Sequence, residues 1–246
     1  MMAPSANALL RVWEDNQLAH PVRRALLALA AAEPEPGFDG WAEAAIGARD
    51  QGLLLLHEHL FGSDLHTTTA CPQCGERLES AFTVADLRSA ERLAAQPAPA
   101  LQLLHGGFDI EYRLPNSADL LHIATERGAA AADIDLLRRC VSRAQHGAQA
   151  LDPATLPDDV VEHITRSMAQ HDPDADVRIA LQCPACGAAS ELRFDIVSYF
   201  WSALDDWAQR LLADVHALAS AYGWSERAIL ALSPVRRQVY LDMVGA

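Results

Sequence analysis

The sequence contains no lysine, so all 19 of its basic residues are arginine. This absence excludes covalent catalysis through a lysine amine. The basic residues are outnumbered by 33 acidic ones, which gives a formal net charge of −14. Because a field of this sign repels nucleic-acid phosphates and anionic lipid headgroups, we expect no sequence-independent nucleic-acid binding and no attraction to membrane surfaces.

Long apolar runs are also missing. Apolar runs such as Leu53 to Leu56 are short, whereas a membrane-spanning helix needs about 20 apolar residues. The N-terminal residues lack the charged segment and unbroken apolar stretch of a signal peptide. We therefore predict a cytoplasmic protein without membrane insertion, whose five cysteines are thiols or metal ligands rather than disulfides.

The composition is otherwise that of a folded protein. Hydrophobic residues make up 50% and charged residues 21% of the sequence, close to the average for globular proteins. Its 246 residues suffice for one large domain or two small ones. Leucines at helical spacing in alanine-rich sequence predict an N-terminal helical region over residues 1–65. One of its helices is expected from about Trp41 to Leu60, divided near Gly47, with Asp50 capping the later half.

A CPxCG motif occurs twice, beginning at Cys71 and at Cys183. In both copies a strand-like alternation follows and reaches a phenylalanine eleven residues after the first cysteine, at Phe82 and Phe194. Each copy then continues into a helical pattern, the first over about Ala85 to Ala95. The chain therefore carries two copies of a strand, turn, strand and helix.

The two motifs together supply the thiols of Cys71, Cys74, Cys183 and Cys186. Four thiolates complete the tetrahedral shell of a structural Zn²⁺ and leave no open position for catalysis. Iron in the same four-sulfur shell remains an alternative. Four ordinary buried cysteines, or a thioredoxin-like redox pair, are the other interpretations.

The segment between the motifs is a long insertion, at about 96–175. Leu101 to Leu104 and Phe108 to Leu114 are predicted strands. Ser117 is predicted to cap a helix, and a further helix is expected from about Asp133 to Gln145. The sequence thus divides into residues 1–65, a zinc-knuckle β region over 66–195 that contains this insertion, and C-terminal helices over 196–246.

These patterns predict an α+β fold that is mostly helical. Small antiparallel strands are expected around the four-cysteine, zinc-ribbon-like site, and the C-terminal segment is expected to be helical. An apolar stripe with steps of three and four runs from Ile196 to Tyr222. Gly223 fits the end of this helix, Ser225 the cap of a short one, and Ser233 the cap of a last helix over about Pro234 to Val244.

The C-terminal helices admit two interpretations. One is a helix-turn-helix reader of DNA, and the other, which the net charge favours, is a helical cap or a protein contact. If part of the last apolar cluster is exposed, it forms a partner-binding surface. Its candidate residues are Trp224, Arg236, Arg237, Tyr240 and Met243.

No residue pattern indicates an enzyme. The sequence has no G-x-S-x-G, no P-loop and no G-x-G-x-x-G. We expect Cys140 to be a buried structural thiol. His57 with His59, and Asp205 with Asp206, are each expected to belong to an exposed helix face, because neighbours this close on a helix do not point the same way.

Several strings resemble T4-type phage baseplate proteins, a group that includes baseplate-hub assembly chaperones and relatives encoded with contractile phage-tail-like injection systems. The strings are AIGARDQGLLLLHEHLFGSDL, CPQCGERLE, YRLPNSADLL and ADVHALASAYGWSERAILALSPVRRQVYLDMV. The resemblance covers most of the chain from about Trp41 onward and, more loosely, the N-terminus. It implies no catalytic residues and a role in building or forming the baseplate of a contractile tail, inside a tail-like particle or beside it, with baseplate or hub proteins as partners.

Three hypotheses follow. The first is a non-enzymatic baseplate assembly factor or structural component with a structural zinc. The second is a zinc-ribbon regulator that binds nucleic acid through its C-terminal helices. The third is a metal-dependent or thiol enzyme, which the closed cysteine shell opposes.

Overall fold

The computed structural model describes residues 4–88, 97–125 and 128–245. Helices predominate, and the strands among these residues form small antiparallel sheets. The expectation of a mostly helical α+β fold is therefore confirmed.

The N-terminal region is helical, as expected. Its helices are α1 (Ala6–Asp15), α2 (Pro21–Ala32), α3 (Gly37–Glu43) and α4 (Ile46–Phe61). The break before α4 lies at Ala44 and Ala45, which form isolated bridges to the insertion. The predicted break near Gly47 is therefore slightly misplaced, and the predicted cap is wrong, since Asp50 lies inside α4 and pairs with Arg49 at 2.7 Å.

Each CPxCG motif lies at the tip of a two-stranded antiparallel hairpin. The first hairpin consists of β1 (Asp64–Ala70) and β2 (Arg77–Thr83), and helix α5 (Val84–Leu87) follows it. The rest of the predicted helix over Ala85 to Ala95 runs largely outside the described residues.

The insertion contains a four-stranded antiparallel sheet with three helices. The sheet has the order β3 (Leu101–His105), β4 (Phe108–Tyr112), β5 (Val141–His146) and β6 (Gln149–Ala150). The helices are α6 (Ser117–Ile123), α7 (Ala129–Cys140) and α8 (Asp158–His171). A second apolar core, including Ile110, Tyr112, Val160 and Ile164, lies between the sheet and α8.

Two predictions for the insertion are wrong. The helix expected over Asp133 to Gln145 ends at Cys140, because the residues after it pair with β4 as strand β5. The cap of α6 is Asn116, not Ser117: the Asn116 side chain accepts from the N–H of Asp119 at 2.9 Å, and Asp119 bonds back to the Asn116 N–H.

The second motif hairpin is β7 (Arg178–Gln182) and β8 (Ala189–Arg193), and the C-terminal helices follow it as α9 (Ile196–Tyr222), α10 (Glu226–Leu230) and α11 (Pro234–Val244). The predicted signals are confirmed. Gly223 ends α9 with a φ of 67°, Ser225 caps α10 and Ser233 caps α11. The apolar stripe of α9 is buried along most of its length.

The main core packs α4 against α9. Leu53 and Leu204 are fully buried in it, and the rings of Phe61 and Phe200 lie 6.0 Å apart. Strand β1 follows directly from the end of α4, and β8 leads directly into α9. The packing of these two helices therefore places the two hairpins side by side.

Candidate metal centre

The two CPxCG turns have the same backbone hydrogen bonds. In the first turn, the N–H of Cys71 donates to the Glu76 carbonyl at 2.8 Å, and the N–H of Gly75 donates to the Cys71 carbonyl at 2.9 Å. The second turn repeats both bonds at the corresponding residues, each at 2.9 Å. Gly75 and Gly187 have φ values of 77° and 72°, a left-handed conformation that favours glycine.

The structure brings the four predicted cysteines into one cluster. Their Sγ atoms all lie within 4.8 Å of one another. Cys71 is 3.8 Å from Cys186, and Cys74 is 3.6 Å from Cys183. Four sulfurs placed tetrahedrally about 2.3 Å from a zinc ion are about 3.8 Å apart. The cluster thus has the dimensions of a four-thiolate metal site, and all five cysteines of the chain are free thiols.

Each turn contributes one buried and one exposed cysteine. Cys71 and Cys183 are buried, with 3% and 1% exposure, and pack with Leu78 in a small apolar cluster. Cys74 and Cys186 face solvent. Each pair therefore has one sulfur on the solvent side of the cluster and one on its apolar side.

Corresponding residues of the two hairpins also contact each other below the turns. Phe82 and Phe194, the residues eleven positions after each first cysteine, contact each other edge to face with ring centroids 5.3 Å apart. The ring of Tyr199 in α9 packs on Phe194, and its hydroxyl oxygen accepts a hydrogen bond from the backbone N–H of His66 in β1 at 3.1 Å. These contacts tie the first hairpin to the helix that follows the second.

The electrostatics of the cluster favour a bound cation. The backbone N–H groups of Cys74 and Gln73 lower the pKa of the Cys71 thiol to about 7. The N–H of Glu76 acts in the same direction on Cys74, but the neighbouring thiols outweigh it and raise the pKa of Cys74 to about 12. Four sulfurs this close cannot all be thiolates without positive charge between them, and a divalent metal ion supplies that charge.

A metal ion held by all four sulfurs would have no open position for a substrate or an activated water, because four protein ligands complete a tetrahedral shell. Such an ion would be structural, and it would join segments that lie on either side of the whole insertion.

The residues predicted for a partner surface fall into two groups, of which the first is an aromatic cluster. The ring of Trp224 stacks on Tyr222 with centroids 4.7 Å apart, and Tyr240 meets Trp224 edge to face at 4.9 Å. Trp224 and Tyr240 are half-buried. This cluster fixes α11 against the end of α9.

The second group consists of Arg236, Arg237 and Met243 on α11. Arg237 is half-buried and its Nε donates to Asp214 of α9 at 3.2 Å. Arg236 and Met243 are exposed on the outside of α11. Among the five predicted residues, these two are the most available to a partner.

Of the weaker candidates, Cys140 is buried as expected, and burial raises its pKa to about 11. The expectation for His57 is wrong. It is 3% exposed, lies between the rings of Phe61 and Tyr199, and burial lowers its pKa. Asp206 is exposed as expected, but Asp205 is half-buried and accepts a hydrogen bond from the Trp13 indole at 2.7 Å.

Two buried carboxylates were not anticipated. Asp119 is fully buried and accepts from Arg113 at 2.6 and 2.8 Å and from Arg139 at 2.8 Å. Burial opposes its ionisation, but these arginines and the N–H of Asn116 outweigh that effect and hold its pKa below the usual 3.8. The Asn-x-x-Asp spacing of a capping box is the sequence signal for this site.

Asp172 has no such local signal. Its Oδ2 accepts from the N–H of Gly47, 125 residues away, at 3.0 Å, so that it caps α4 from outside that helix. Its Oδ1 has no hydrogen-bond partner among the described residues, and burial raises its pKa.

Comparison with known proteins finds one matching family. Residues 44–201 match the model of a family described as T4 bacteriophage base plate protein. This range includes both CPxCG turns and the insertion. No curated protein and no solved structure matches the chain. Within the described ranges, no helix is long and apolar enough to cross a membrane.

Proposed function

The chain belongs to the T4 bacteriophage base plate protein family, and from this premise we propose that it is a non-enzymatic assembly factor or structural component of the baseplate of a contractile tail or contractile injection system. The observation that carries the proposal is the match over residues 44–201. The closed cysteine shell supports a role without catalysis, since it leaves no position for a substrate.

We further propose that Cys71, Cys74, Cys183 and Cys186 bind one structural Zn²⁺. The sulfur spacing of 3.6 to 3.8 Å between the turns and the repeated backbone geometry support this assignment. Thiolate ligands in a tetrahedral set favour zinc or iron. The metal would hold the two hairpins together and thereby fix the position of the insertion relative to α4 and α9.

The partner surface is proposed to lie on α10 and α11 and to contact another baseplate protein. Arg236 and Met243 form its exposed part, while Trp224, Arg237 and Tyr240 hold α11 in place behind it. An apolar side chain beside an exposed arginine is a common composition for the centre of a protein interface.

The nucleic-acid alternative receives less support from the same helices. Arg237 is occupied by Asp214, which leaves Arg227 and Arg236 as the exposed arginines of α10 and α11, on a chain with a net charge of −14. Non-specific DNA binding depends on several cationic contacts to phosphates.

The proposed role is tested by the composition of purified particles from cells that produce the complete tail-like assembly. A structural component is present in the particles. An assembly factor is absent from them but co-purifies with a baseplate protein from the same cells. A chain found in neither fraction would contradict the proposal.

The partner surface is tested with the double variant Arg236→Glu/Met243→Glu in the same cells. We expect it to fold and to lose its association with particles or baseplate protein. Leu18→Glu is the matched control, because Leu18 is fully exposed on the N-terminal side of the chain. Unchanged association of the double variant would rule out this surface.

A further inference from the structure

Two close sulfur contacts in the candidate metal centre run between the two turns. Cys71 Sγ lies 3.8 Å from Cys186 Sγ, and Cys74 Sγ lies 3.6 Å from Cys183 Sγ. The partners are 115 residues apart in the first contact and 109 in the second. All four side chains are free thiols. A covalent bond at either contact would therefore join the first hairpin to the second.

Each of these contacts pairs an exposed cysteine with a buried one. Cys74 and Cys186 are exposed, whereas Cys183 and Cys71 are buried. A dissolved oxidant reaches the exposed member first, because the oxidation of a thiol depends on access. The buried member lies beside it, on the apolar side of the cluster. This is the arrangement of an oxidisable thiol with a second thiol in position to resolve the oxidised product.

The two contacts are short enough for side-chain rotation to close them. A disulfide bond is about 2.05 Å long, so the sulfurs must approach by about 1.6 Å in one pair and about 1.8 Å in the other. Rotation of the exposed cysteines about their Cα–Cβ bonds supplies such a movement. The hairpins stay side by side meanwhile, because the Phe82–Phe194 ring contact and the hydrogen bond from His66 to Tyr199 involve no cysteine.

We propose that a peroxide oxidises the metal-free cluster to two disulfides that join the hairpins in place of the metal, Cys74–Cys183 and Cys71–Cys186. The inference concerns the regulation of the proposed metal site and rests on it. The junction then has a closed state in either redox condition. Four thiolates hold a metal ion when conditions are reducing, and two disulfides replace it when conditions are oxidising.

The oxidation proceeds in two steps at each contact. The sulfur of Cys74 attacks one oxygen of hydrogen peroxide, the O–O bond breaks, and a sulfenic acid and one water are formed. The Cys183 sulfur then attacks the sulfenic sulfur, the S–O bond breaks, and the hydroxyl leaves with the Cys183 proton as a second water. The two sulfurs together lose two electrons and the peroxide gains two. The other contact reacts in the same way, so the cluster consumes two molecules of peroxide.

Peptide mapping of the full chain tests the pairing. Metal is removed with a chelator under reducing conditions, the reductant is removed, and hydrogen peroxide is added. Because the chain has no lysine, trypsin cleaves only after arginine, and residues 50–77 and 179–193 are released as two peptides. Each carries both cysteines of one turn. We expect the two peptides to be linked, at their summed mass less four hydrogens. Separate peptides that have each lost two hydrogens would place the disulfides within the turns and overturn the proposal.

Three double variants separate the two contacts and the order of the steps. Cys71→Ser/Cys186→Ser and Cys74→Ser/Cys183→Ser each retain one contact and should form one link between the peptides. Cys74→Ser/Cys186→Ser is the matched control, since it retains two cysteines but no exposed one. It should form the link at least about tenfold more slowly. Equal rates in all three variants, with folding established by circular dichroism, would overturn the assignment of the exposed cysteines as the first to react.

The melting temperature tests whether the disulfides replace the metal. Each disulfide closes a loop of more than 100 residues, so oxidation should raise the melting temperature of the metal-free wild type by about 10 °C, and dithiothreitol should reverse the change. An oxidised protein that melts like the reduced metal-free one would overturn the proposal, as would thiols that stay reduced with peroxide in excess. The zinc content of the reduced protein decides the metal assignment separately, so the two failures are distinguishable.

Discussion

The Sγ atoms of Cys74 and Cys183 lie 3.6 Å apart, although 109 residues separate the two cysteines in the chain. A disulfide would bring the sulfurs to about 2.05 Å, and unrelated buried thiols have no reason to lie at the tetrahedral spacing. The two hairpins therefore hold their cysteines at the distance that a shared metal ion requires.

We expect purified protein to contain about one zinc ion per chain, because four thiolates fill one tetrahedral shell. Cys71→Ser and Cys183→Ser should each reduce the content to near zero. Elemental analysis measures this and separates zinc from iron. Cys140→Ala is the control, and it should retain the metal. Full zinc retention in both serine variants would disprove the shared site.

Removal of the metal should lower the melting temperature. Closure of a loop of about 100 residues contributes about 4–5 kcal/mol in the chain-entropy description of cross-links, and 1 kcal/mol corresponds to about 2–4 °C for a protein of this size. Chelation should therefore lower the melting temperature by about 10 °C, in the wild type and in Cys140→Ala alike. Metal-free protein with an unchanged melting curve would refute this role.

Gly47→Ala should destabilise the protein by about 1–3 kcal/mol. Alanine ordinarily gains about 1 kcal/mol over glycine inside a helix, but here its Cβ would overlap the carboxylate of Asp172 that caps α4. Denaturant unfolding measures the change. In an Asp172→Ala background the same substitution should lose most of its penalty, and a stabilising Gly47→Ala in the wild type would contradict the clash.

Stability should rise as the pH falls from 7 to 5, through Asp50. Burial raises the pKa of this carboxyl to about 6, in spite of the adjacent Arg49, whereas the unfolded chain has a pKa of about 3.9. Between these values the folded state holds a proton that the unfolded state has lost, so folding is favoured at lower pH.

The expected gain from Asp50 between pH 7 and pH 5 is about 1 kcal/mol. Asp50→Asn removes the titrating group and should lack this part of the pH dependence. The difference between wild type and variant, measured by denaturant unfolding at each pH, separates Asp50 from all groups that the two proteins share. An equal pH dependence in both would contradict the raised pKa.

The C-terminal helices were predictable because their signals are local. Gly223, Ser225 and Ser233 act through their own backbone and the next few residues. The CPxCG turns were predictable for the same reason, and the chemistry of four thiols required that they meet. The metal itself and the partner surface remain predictions.

The failures concern residues whose structure depends on distant partners. Val141 leaves the helical pattern because β5 pairs with β4. His57 is buried against Tyr199, which lies 142 residues later in the chain. Asp172 caps α4, a helix that begins 126 residues earlier in the chain. Periodicity and capping rules contain no information about such pairs.

The separation of the two CPxCG turns also matters during synthesis of the chain. At about 5–20 residues per second, roughly 5–20 s pass between the appearance of Cys74 and that of Cys183. During this interval the first hairpin has only two thiols to offer, and a two-thiol site is incomplete for zinc. At the proposed zinc site, capture of the metal would therefore report that the ribosome has passed the whole insertion, and a chain terminated before Cys183 would carry an unclosed, oxidisable thiol pair that distinguishes it from the finished protein.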